Sequence, residues 1–192
     1  MKLILASASP RRKEILTEFG YEFKVFPSDY EENKKDLSPI DLAKFFSVNK
    51  AKWVFNEIEN KEGILVLGSD TIVVSEGKIL GKPKDQEDAF NMLKSLSNKT
   101  HQVVSGYALI GEGIEIIGED VTEVTFNNLT DNLIKQYIEE KKPLDKAGAY
   151  GIQDGYPLVK EYKGSYNNIV GLPIEKISPH LNKLLERGRE ND

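Results

Sequence analysis

The sequence predicts an α/β protein, with a mixed β-sheet and helices arranged as one two-lobed domain over residues 1–192. Three observations support this fold class. Apolar runs rich in β-branched residues alternate with segments of helical periodicity. Hairpin signals interrupt the alternation, which favours a mixed sheet over a purely parallel one. The length of 192 residues is that of a single domain of ordinary size.

The first part of the chain is predicted to form a strand, a helix, a second strand and a long helix. Residues 2–6 and 22–26 are the apolar runs that predict the strands. Ser9-Pro10 places an N-cap residue before a proline at the first helical position, which predicts the first helix. Ser38-Pro39 begins the second helix, which is expected to end near residue 58.

The middle of the chain is predicted to form two hairpins separated by a helix. Glu76-Gly77 and Gly111-Glu112-Gly113 are the turn signals. Asp85 opens a helix whose apolar residues share one face. The predicted strands are 64–67 and 71–74, on either side of Gly68-Ser69-Asp70, and then 102–110 and 114–126.

The last part of the chain is predicted to contain two helices and a third hairpin. Thr130 caps a helix that is expected to reach residue 140. A loop of small residues spans 146–155, and 156–162 is expected to pair with 166–170 across Lys163-Gly164-Ser165. Residues 174–185 are predicted as the final helix, and 186–192, which have almost nothing to bury, as a frayed tail.

The composition excludes several classes of function. Lys and Arg number 26 against 31 Asp and Glu, a net charge of −5, whereas a protein that binds long nucleic acid through its phosphates is normally basic. A few cations focused on one site can still bind a small anion. The absence of cysteine excludes disulfides, thiol catalysis and cysteine-based metal sites, and it favours the cytoplasm.

The sequence also predicts no association with a membrane. No run approaches the ~18 apolar residues of a membrane span. The opening imitates a signal peptide, but its apolar core, residues 3–6, is shorter than the ~7–15 residues that a signal requires.

Residues 7–12, with the sequence Ser-Ala-Ser-Pro-Arg-Arg, lie where the first strand turns into the first helix. Free backbone N–H groups at a helix start, hydroxyls and two guanidinium groups together favour phosphate oxygens. A capped helix with solvated arginines is the alternative. Because Arg11 and Arg12 stand beside the positive end of the helix dipole, where cations are unfavourable, we favour an anion site.

Acidic residues in two places are candidates for binding a metal ion. Asp70 ends an apolar run, and Glu31-Glu32 lies in a polar loop. Hard cations such as Mg²⁺ are held by one or two carboxylates together with substrate phosphates. The alternatives are an Asx turn at Asp70 and an acidic loop that is merely solvated.

Lysines and one amide complete the set of candidates. Lys50 and Lys82 are candidate phosphate ligands, and Lys82 is favoured because Gly81-Lys82-Pro83 is a loop restricted by its proline. Gln153 ends the loop of small residues, and its amide could pair with the edge of a base. His101 and His180, the two histidines, lack matching partners and are interpreted as structural or surface residues, not as metal ligands or the base of a catalytic triad.

The chain carries these patterns in order, along nearly its whole length: Ser7-x-Ser9-Pro10-Arg11-Arg12, Glu32, Lys50-Ala51, Gly68-x-Asp70-Thr71, Gly81-Lys82-Pro83, His101-Gln102-Val103, Asp145-Lys146-Ala147-Gly148-Ala149-Tyr150-Gly151-Ile152-Gln153 and Gly171-Leu172-Pro173. One such pattern is weak evidence, but the ordered set is specific. The chain resembles the Maf family of nucleotide pyrophosphatases.

The resemblance implies a fold related to the inosine-triphosphate pyrophosphatases, with an active-site cleft between the lobes. It also implies metal-dependent hydrolysis of a nucleoside triphosphate to monophosphate and pyrophosphate. Arg11, Thr71 and Gln153 match the subclass that acts on dTTP and UTP, and modified pyrimidine nucleotides are expected with them. Asp154 stands where the family more usually has a glycine after this glutamine. This difference bears on the geometry of the loop and not on the subclass.

The resemblance further assigns roles to single residues. Asp70 would be the general base and, with Glu32, a ligand of a divalent cation, Mg²⁺ or Mn²⁺. The residues expected to bind the triphosphate are Ser7, Arg11, Arg12, Lys50 and Lys82. The alternatives are a 7-methyl-GTP-type pyrophosphatase and a non-catalytic nucleotide-binding regulator of cell division. A homodimer is one assembly that remains open.

Overall fold

The computed structural model describes residues 1–33 and 35–189. Within that part of the chain the strands are β1 (Lys2–Leu5), β2 (Phe23–Val25), β3 (Ile64–Ser75), β4 (Lys78–Leu80), β5 (Thr100–Gly111), β6 (Ile114–Phe126) and β7 (Val159–Lys163). The helices are α1 (Pro10–Glu18), α2 (Pro39–Glu57), α3 (Gln86–Leu96), α4 (Asp131–Lys141), α5 (Tyr166–Val170) and α6 (Ile174–Arg189).

The strands form one mixed sheet in the order β2-β1-β3-β5-β6-β7, with β4 paired to β3. β1 is parallel to both of its neighbours, so that Leu3 lies opposite Phe23 on one side and Leu65 on the other. β4 and β7 are antiparallel to the strands they pair with. The prediction of a mixed α/β fold is confirmed.

By its internal contacts the chain divides into two compact units. Unit 1 consists of Met1–Asp70, Ser105–Asp120 and the segment from Gly171 onward, and unit 2 consists of Thr71–Val104 and Val121–Val170. None of the helices described in residues 1–33 and 35–189 is both long and apolar enough to cross a membrane.

In unit 1, helix α2 lies directly on the sheet. Ala51 and Val54 of α2 pack with Val66 of β3 and Ala108 of β5 in one buried cluster. Two glycines allow this close approach: a Cβ on Gly68 would lie 2.2 Å from the Ser47 carbonyl oxygen, and one on Gly106 would lie 2.4 Å from the Ala43 carbonyl group. The helix axis is therefore set by the absence of side chains at two strand positions.

In unit 2, helices α3 and α4 cover the core of the second unit. The buried cluster there includes Leu93 and Leu96 of α3, Tyr137 of α4 and Phe126 of β6. Both helices begin at the predicted caps, since Asp85 accepts a hydrogen bond from Asp88 N and Thr130 from Leu133 N. The apolar face predicted for the third helix is thus confirmed as its buried face.

Two predictions of local structure were wrong. Residues 64–67 and 71–74 are not separate strands, because β3 continues through Gly68-Ser69-Asp70. These three residues are buried in the sheet, and the hydroxyl of Ser69 donates to the carbonyl oxygen of Gly106, 2.9 Å away. Tertiary packing therefore overrides the turn signal of this triplet.

The predicted strand 166–170 is the short helix α5 instead. Ser165 Oγ accepts a hydrogen bond from Asn168 N, in the pattern of a helix cap. The buried side chain of Asn168 donates to Val103 O at 3.1 Å and to Thr122 Oγ1 at 2.9 Å. These long-range hydrogen bonds stabilise the helical turn. As a result β7 pairs with β6 and not with residues 166–170.

At the end of the chain, α6 continues to Arg189, beyond its predicted end at residue 185. Residues 190–192 of the predicted frayed tail lie outside the described residues.

Candidate active site

The turn between β1 and α1 holds the first group of candidate residues. Ser9 occupies the N-cap position of α1, and its backbone N–H donates to Ser7 Oγ at 3.2 Å. Arg12 Nη1 donates to the same hydroxyl at 3.2 Å, and Arg12 Nε donates to the Gly171 carbonyl oxygen at 2.8 Å. The guanidinium group of Arg12 is therefore held on two sides, which fixes its direction before any ligand binds.

Arg12 is a partly buried cation with three charged neighbours. Burial lowers the pKa of Arg12 from its usual value, the charges of Asp70 and Glu32 raise it, and the charge of Arg11 lowers it. The two arginines and the two carboxylates thus belong to one electrostatic cluster.

Lys50 joins the two candidate metal ligands. Its Nζ donates to Asp70 Oδ1 at 2.7 Å and lies 2.5 Å from Glu32 Oε1. The side chains of Lys50 and Asp70 are only 15% and 10% exposed, whereas that of Glu32 is 45% exposed. Because ion pairs strengthen as water is excluded, the Lys50–Asp70 contact is the firmer of the two.

The position of this ion pair follows from the packing of α2 on β3. Gly68 faces α2, because its missing side chain would collide with Ser47 and Ala51. Side chains two residues apart on a strand share a face, so Asp70 also faces α2. Lys50 precedes Ala51 on that helix and reaches the carboxylate.

The pattern Gly68-x-Asp70 therefore has a physical explanation. Gly68 allows α2 to approach β3 closely, and Asp70 then accepts the hydrogen bond from Lys50 of that helix.

The other candidate residues, Thr71, Lys82 and Gln153, belong to unit 2. Thr71 follows Asp70 on β3 and points to the opposite face, as successive strand residues do. Lys82 is exposed. On one side of it, the carbonyl oxygen of Gly81 accepts a hydrogen bond from Gly148 N at 3.0 Å, and on the other side Pro83 is buried. The loop that carries Lys82 is thus tied down on both sides, as predicted.

Gln153 lies on the surface in a 3₁₀ turn over Ile152–Asp154. Asp154 N donates to the Gly151 carbonyl oxygen at 3.2 Å and closes the turn. A Cβ on Gly151 would lie 2.7 Å from Gln153 Nε2, so the amide end of Gln153 rests against the glycine backbone. Gln153 as a whole is an exposed residue, as expected of a side chain that meets a ligand from solvent.

In unit 1 the structure joins the predicted site residues by direct contacts, Ser7 to Arg12 and Lys50 to both Glu32 and Asp70. The carbonyl group of Gly171, which fixes Arg12, has no role that the sequence predicts, although Gly171-Leu172-Pro173 is one of the ordered motifs. Tyr137, whose hydroxyl contacts Gly151 and Asp154, is also not predicted from the sequence. No local signal marks Tyr137, because its partners lie 14 and 17 residues away.

His101 has a structural role, as predicted. It is 2% exposed, and its Nε2 lies 2.8 Å from the hydroxyl of Tyr150. Its ring also meets Phe126 edge-on. Burial lowers the pKa of His101 to about 4, so the ring is neutral at physiological pH.

A divalent cation such as Mg²⁺ requires several oxygen ligands that converge on one point. Within residues 1–33 and 35–189, no group of three or more His, Asp or Glu side chains is arranged to hold a metal ion. Two carboxylates do converge, since Glu32 and Asp70 share the Lys50 ammonium group. Two carboxylate ligands, completed by substrate phosphates and water, suit Mg²⁺, so these residues fit the predicted ion.

Comparison with known proteins places the chain among its relatives. A family model described as Maf-like protein matches residues 2–184. The chain belongs to the Maf family. The resemblance inferred from the ordered motifs is thereby confirmed.

Curated Maf relatives align along almost the whole chain. A protein of Ruminiclostridium cellulolyticum is 45% identical, covering 96% of this chain and 97% of the relative. A protein of Alkaliphilus oremlandii is 48% identical, covering 92% of each chain, and one of Thermococcus onnurineus is 48% identical, covering 90% and 92%. All three relatives are named dTTP/UTP pyrophosphatase.

A solved structure, the Ham1 protein of Staphylococcus aureus, aligns with 66% of this chain and 72% of its own, at 14% identity and a TM-score of 0.45.

Proposed function

We propose that this chain hydrolyses dTTP and UTP, and modified pyrimidine nucleotides with them, to the monophosphate and pyrophosphate. The observation that carries the proposal is the cluster of Arg12, Lys50, Asp70 and Glu32, in which two fixed cations adjoin two carboxylates. Cations of this kind suit a triphosphate, and a carboxylate beside them suits the activation of water. The names of the relatives support the choice of substrate.

Asp70 is assigned the role of general base in an in-line attack of water on the α-phosphorus. Its Oδ1 accepts the hydrogen bond of Lys50, which orients the carboxylate. In the proposed step the carboxylate takes a proton from the attacking water as the water oxygen bonds to the α-phosphorus, and the bond from that phosphorus to the pyrophosphate oxygen breaks. The protein contributes mainly by positioning the triphosphate and the water and by neutralising phosphate charge, because phosphoryl transfer requires little covalent chemistry from the protein.

The triphosphate is assigned to the cations and to the start of α1. Arg12 is already oriented by Ser7 and Gly171, so a phosphate group meets a guanidinium group that loses little freedom on binding. Arg11 and Lys50 add charge in unit 1, and Lys82 adds charge from its restrained loop. Ser7 and the backbone N–H groups that follow it supply neutral donors.

A divalent cation, Mg²⁺ or Mn²⁺, is assigned to Glu32 and Asp70. When bound, such a cation neutralises phosphate charge and polarises the phosphorus–oxygen bonds. Lys50 contacts both carboxylates and offsets part of their charge.

Recognition of the pyrimidine base is assigned to Gln153, with Thr71 and Arg11 as the other specificity residues. An amide presents one donor and one acceptor, which matches the O4 and N3–H edge of uracil and thymine. The exposed position of Gln153 on its turn supports this assignment.

Pyrophosphate release from UTP, dTTP, CTP and 7-methyl-GTP, each with Mg²⁺, with Mn²⁺ and with excess chelator, tests the proposal. We expect turnover of UTP and dTTP that depends on the divalent cation. Preference for 7-methyl-GTP would favour the purine-type enzyme, and binding of nucleotide without pyrophosphate release would favour a regulator of cell division. Full activity in chelator would contradict the role of the metal.

We further propose a cytoplasmic protein that acts on small nucleotides, and a homodimer is one of the assemblies to be tested. The absence of cysteine supports a reducing compartment. Fractionation of cells and light scattering of the purified protein test the compartment and the dimer.

A further inference from the structure

The hydroxyl of Tyr137 connects helix α4 to the turn that carries Gln153. Tyr137 is fully buried, and its ring packs edge-on against Tyr156 at a centroid distance of 5.1 Å. Its hydroxyl donates to Asp154 Oδ2 at 2.7 Å and accepts from Gly151 N at 2.9 Å. The hydroxyl group therefore uses its single O–H donor and also accepts one hydrogen bond.

These two partners flank Gln153 on either side. Gly151 and Asp154 are also joined to each other by the Asp154 N–H and the Gly151 carbonyl oxygen. Three hydrogen bonds therefore close a small ring around the turn, and the Gln153 side chain projects from the segment inside it. The bare backbone of Gly151 receives the amide end of Gln153, because a Cβ there would stand 2.7 Å from Nε2.

The protonation of Tyr137 suits this arrangement. Burial, the hydrogen bond to Asp154 and the charge of Asp154 together raise the pKa of Tyr137 well above its usual range. The hydroxyl thus keeps its proton at neutral pH and remains a donor to the carboxylate.

We propose that Tyr137 and Asp154 are positioning residues for base selectivity, which hold Gln153 in the orientation that pairs with a pyrimidine edge. This inference rests on the proposed function and deepens it. A side chain on a short surface turn samples several rotamers, and hydrogen bonds discriminate between bases only when their direction is fixed. The buried hydroxyl supplies that direction from the core of unit 2.

The main test is Tyr137→Phe, which removes only the hydroxyl and keeps the ring. We expect the ratio of kcat/KM for UTP to that for CTP to fall about tenfold, the scale of a lost, direction-fixing hydrogen bond. Hydrogen exchange of the Gly151 amide should rise about tenfold or more, because its acceptor is gone. Tyr150→Phe, which removes another buried tyrosine hydroxyl of unit 2, is the control and should preserve the UTP to CTP ratio.

Asp154 provides a second pair of variants outside the buried core. Asp154→Ala should reduce the UTP to CTP ratio as much as Tyr137→Phe does, whereas Asp154→Asn, whose amide oxygen still accepts from Tyr137, should restore most of it. The double variant Tyr137→Phe with Asp154→Ala should lose no more than Tyr137→Phe alone, because that variant already removes the hydrogen bond to Asp154.

The outcomes separate this inference from the proposed function. A parent protein that releases no pyrophosphate from UTP contradicts the proposed function, and the exchange of the Gly151 amide still reports the hydrogen bond. A UTP-selective parent whose ratio survives Tyr137→Phe and Asp154→Ala contradicts the positioning role alone. An equal loss for every nucleotide would show that Tyr137 only stabilises the fold, which also overturns the proposal.

Discussion

At the scale of single residues, the candidate site is organised by Lys50. One ammonium group contacts Glu32 and Asp70, and the Asp70 side chain is 10% exposed. A buried carboxylate that already accepts one hydrogen bond has a fixed direction, and fixed direction is what a general base requires. The role proposed for Asp70 therefore requires its charge as well as its position, and a substitution that keeps the shape separates the two.

Replacement of Asp70 tests that statement. Asp70→Asn keeps the shape but removes the basic carboxylate, so we expect turnover of UTP to fall by ~10²–10⁴ while nucleotide binding largely survives. Steady-state kinetics and equilibrium binding of UTP measure the two effects. Asp131→Asn, which removes a carboxylate paired with Lys94 on the surface of unit 2, is the control and should leave turnover unchanged. Near-normal turnover in Asp70→Asn would assign the activation of water to another group.

Gln153 tests the recognition of the base at the same scale. Gln153→Glu supplies acceptors but no donor for the O4 oxygen, so kcat/KM for UTP and dTTP should fall relative to CTP and 7-methyl-GTP. Each polar group that binding of the nucleotide buries and leaves unpaired costs ~1–3 kcal/mol, which sets the expected change in the ratio. Gln86→Glu, at the exposed first residue of α3, is the matched control. An unchanged ratio among the four substrates would reject base recognition by Gln153.

At the scale of secondary-structure elements, the contact between α2 and the sheet decides where Lys50 stands. The contact depends on Gly68 and Gly106, whose added Cβ atoms would meet helix backbone at 2.2 and 2.4 Å. Backbone atoms of a buried helix cannot move aside as the end of a flexible side chain can. Any side chain at these positions must therefore push α2 away from β3 and β5.

Gly68→Ala is expected to destabilise the fold and to displace Lys50 from Asp70. Overpacking of this kind costs ~1–3 kcal/mol, and the free energy of unfolding in urea measures it. Gly81→Ala is the matched control, because a Cβ there would meet nothing within 4 Å; it should change stability by less than about 0.5 kcal/mol. Equal stability of the two variants would show that α2 does not need the glycine.

At the scale of the whole molecule, a buried histidine links stability to pH. The pKa of His101 is lowered by burial from 6.5 to about 4. Between those values the unfolded chain binds a proton at His101 and the folded chain does not, so stability rises with pH across this range. The contribution is fully present above pH 6.5 and is lost as the pH falls toward 4.

Unfolding measured between pH 7 and pH 4 tests this linkage. The parent should lose up to about 3 kcal/mol more than His101→Gln, whose side chain is polar but does not titrate. Gln102→Ala, at the exposed position next to His101 on β5, changes no titratable group and should keep the pH dependence of the parent. Identical pH dependence in the parent and in His101→Gln would contradict the assignment of this acid sensitivity to His101.

The sequence by itself determined the helix starts and the tight turns, because these features depend only on residues that are close along the chain. The helix caps at Ser38, Asp85 and Thr130 are present as side-chain hydrogen bonds, and the turns after β3 and β5 occur at the predicted glycines. Such signals act within about four residues, so they are visible along the chain. The ordered motifs were equally visible and were sufficient to recognise the Maf family.

Only the tertiary structure decided the features that join distant residues. It made β3 continuous through Gly68-Ser69-Asp70, and it folded Tyr166–Val170 as a helix, because hydrogen bonds to other strands outweigh local preference. It also brought Lys50 to Asp70, 20 residues away, and Tyr137 to Asp154, 17 residues away. Spacing along the chain cannot place such pairs, since their distance depends on how closely a helix packs against a sheet or a loop.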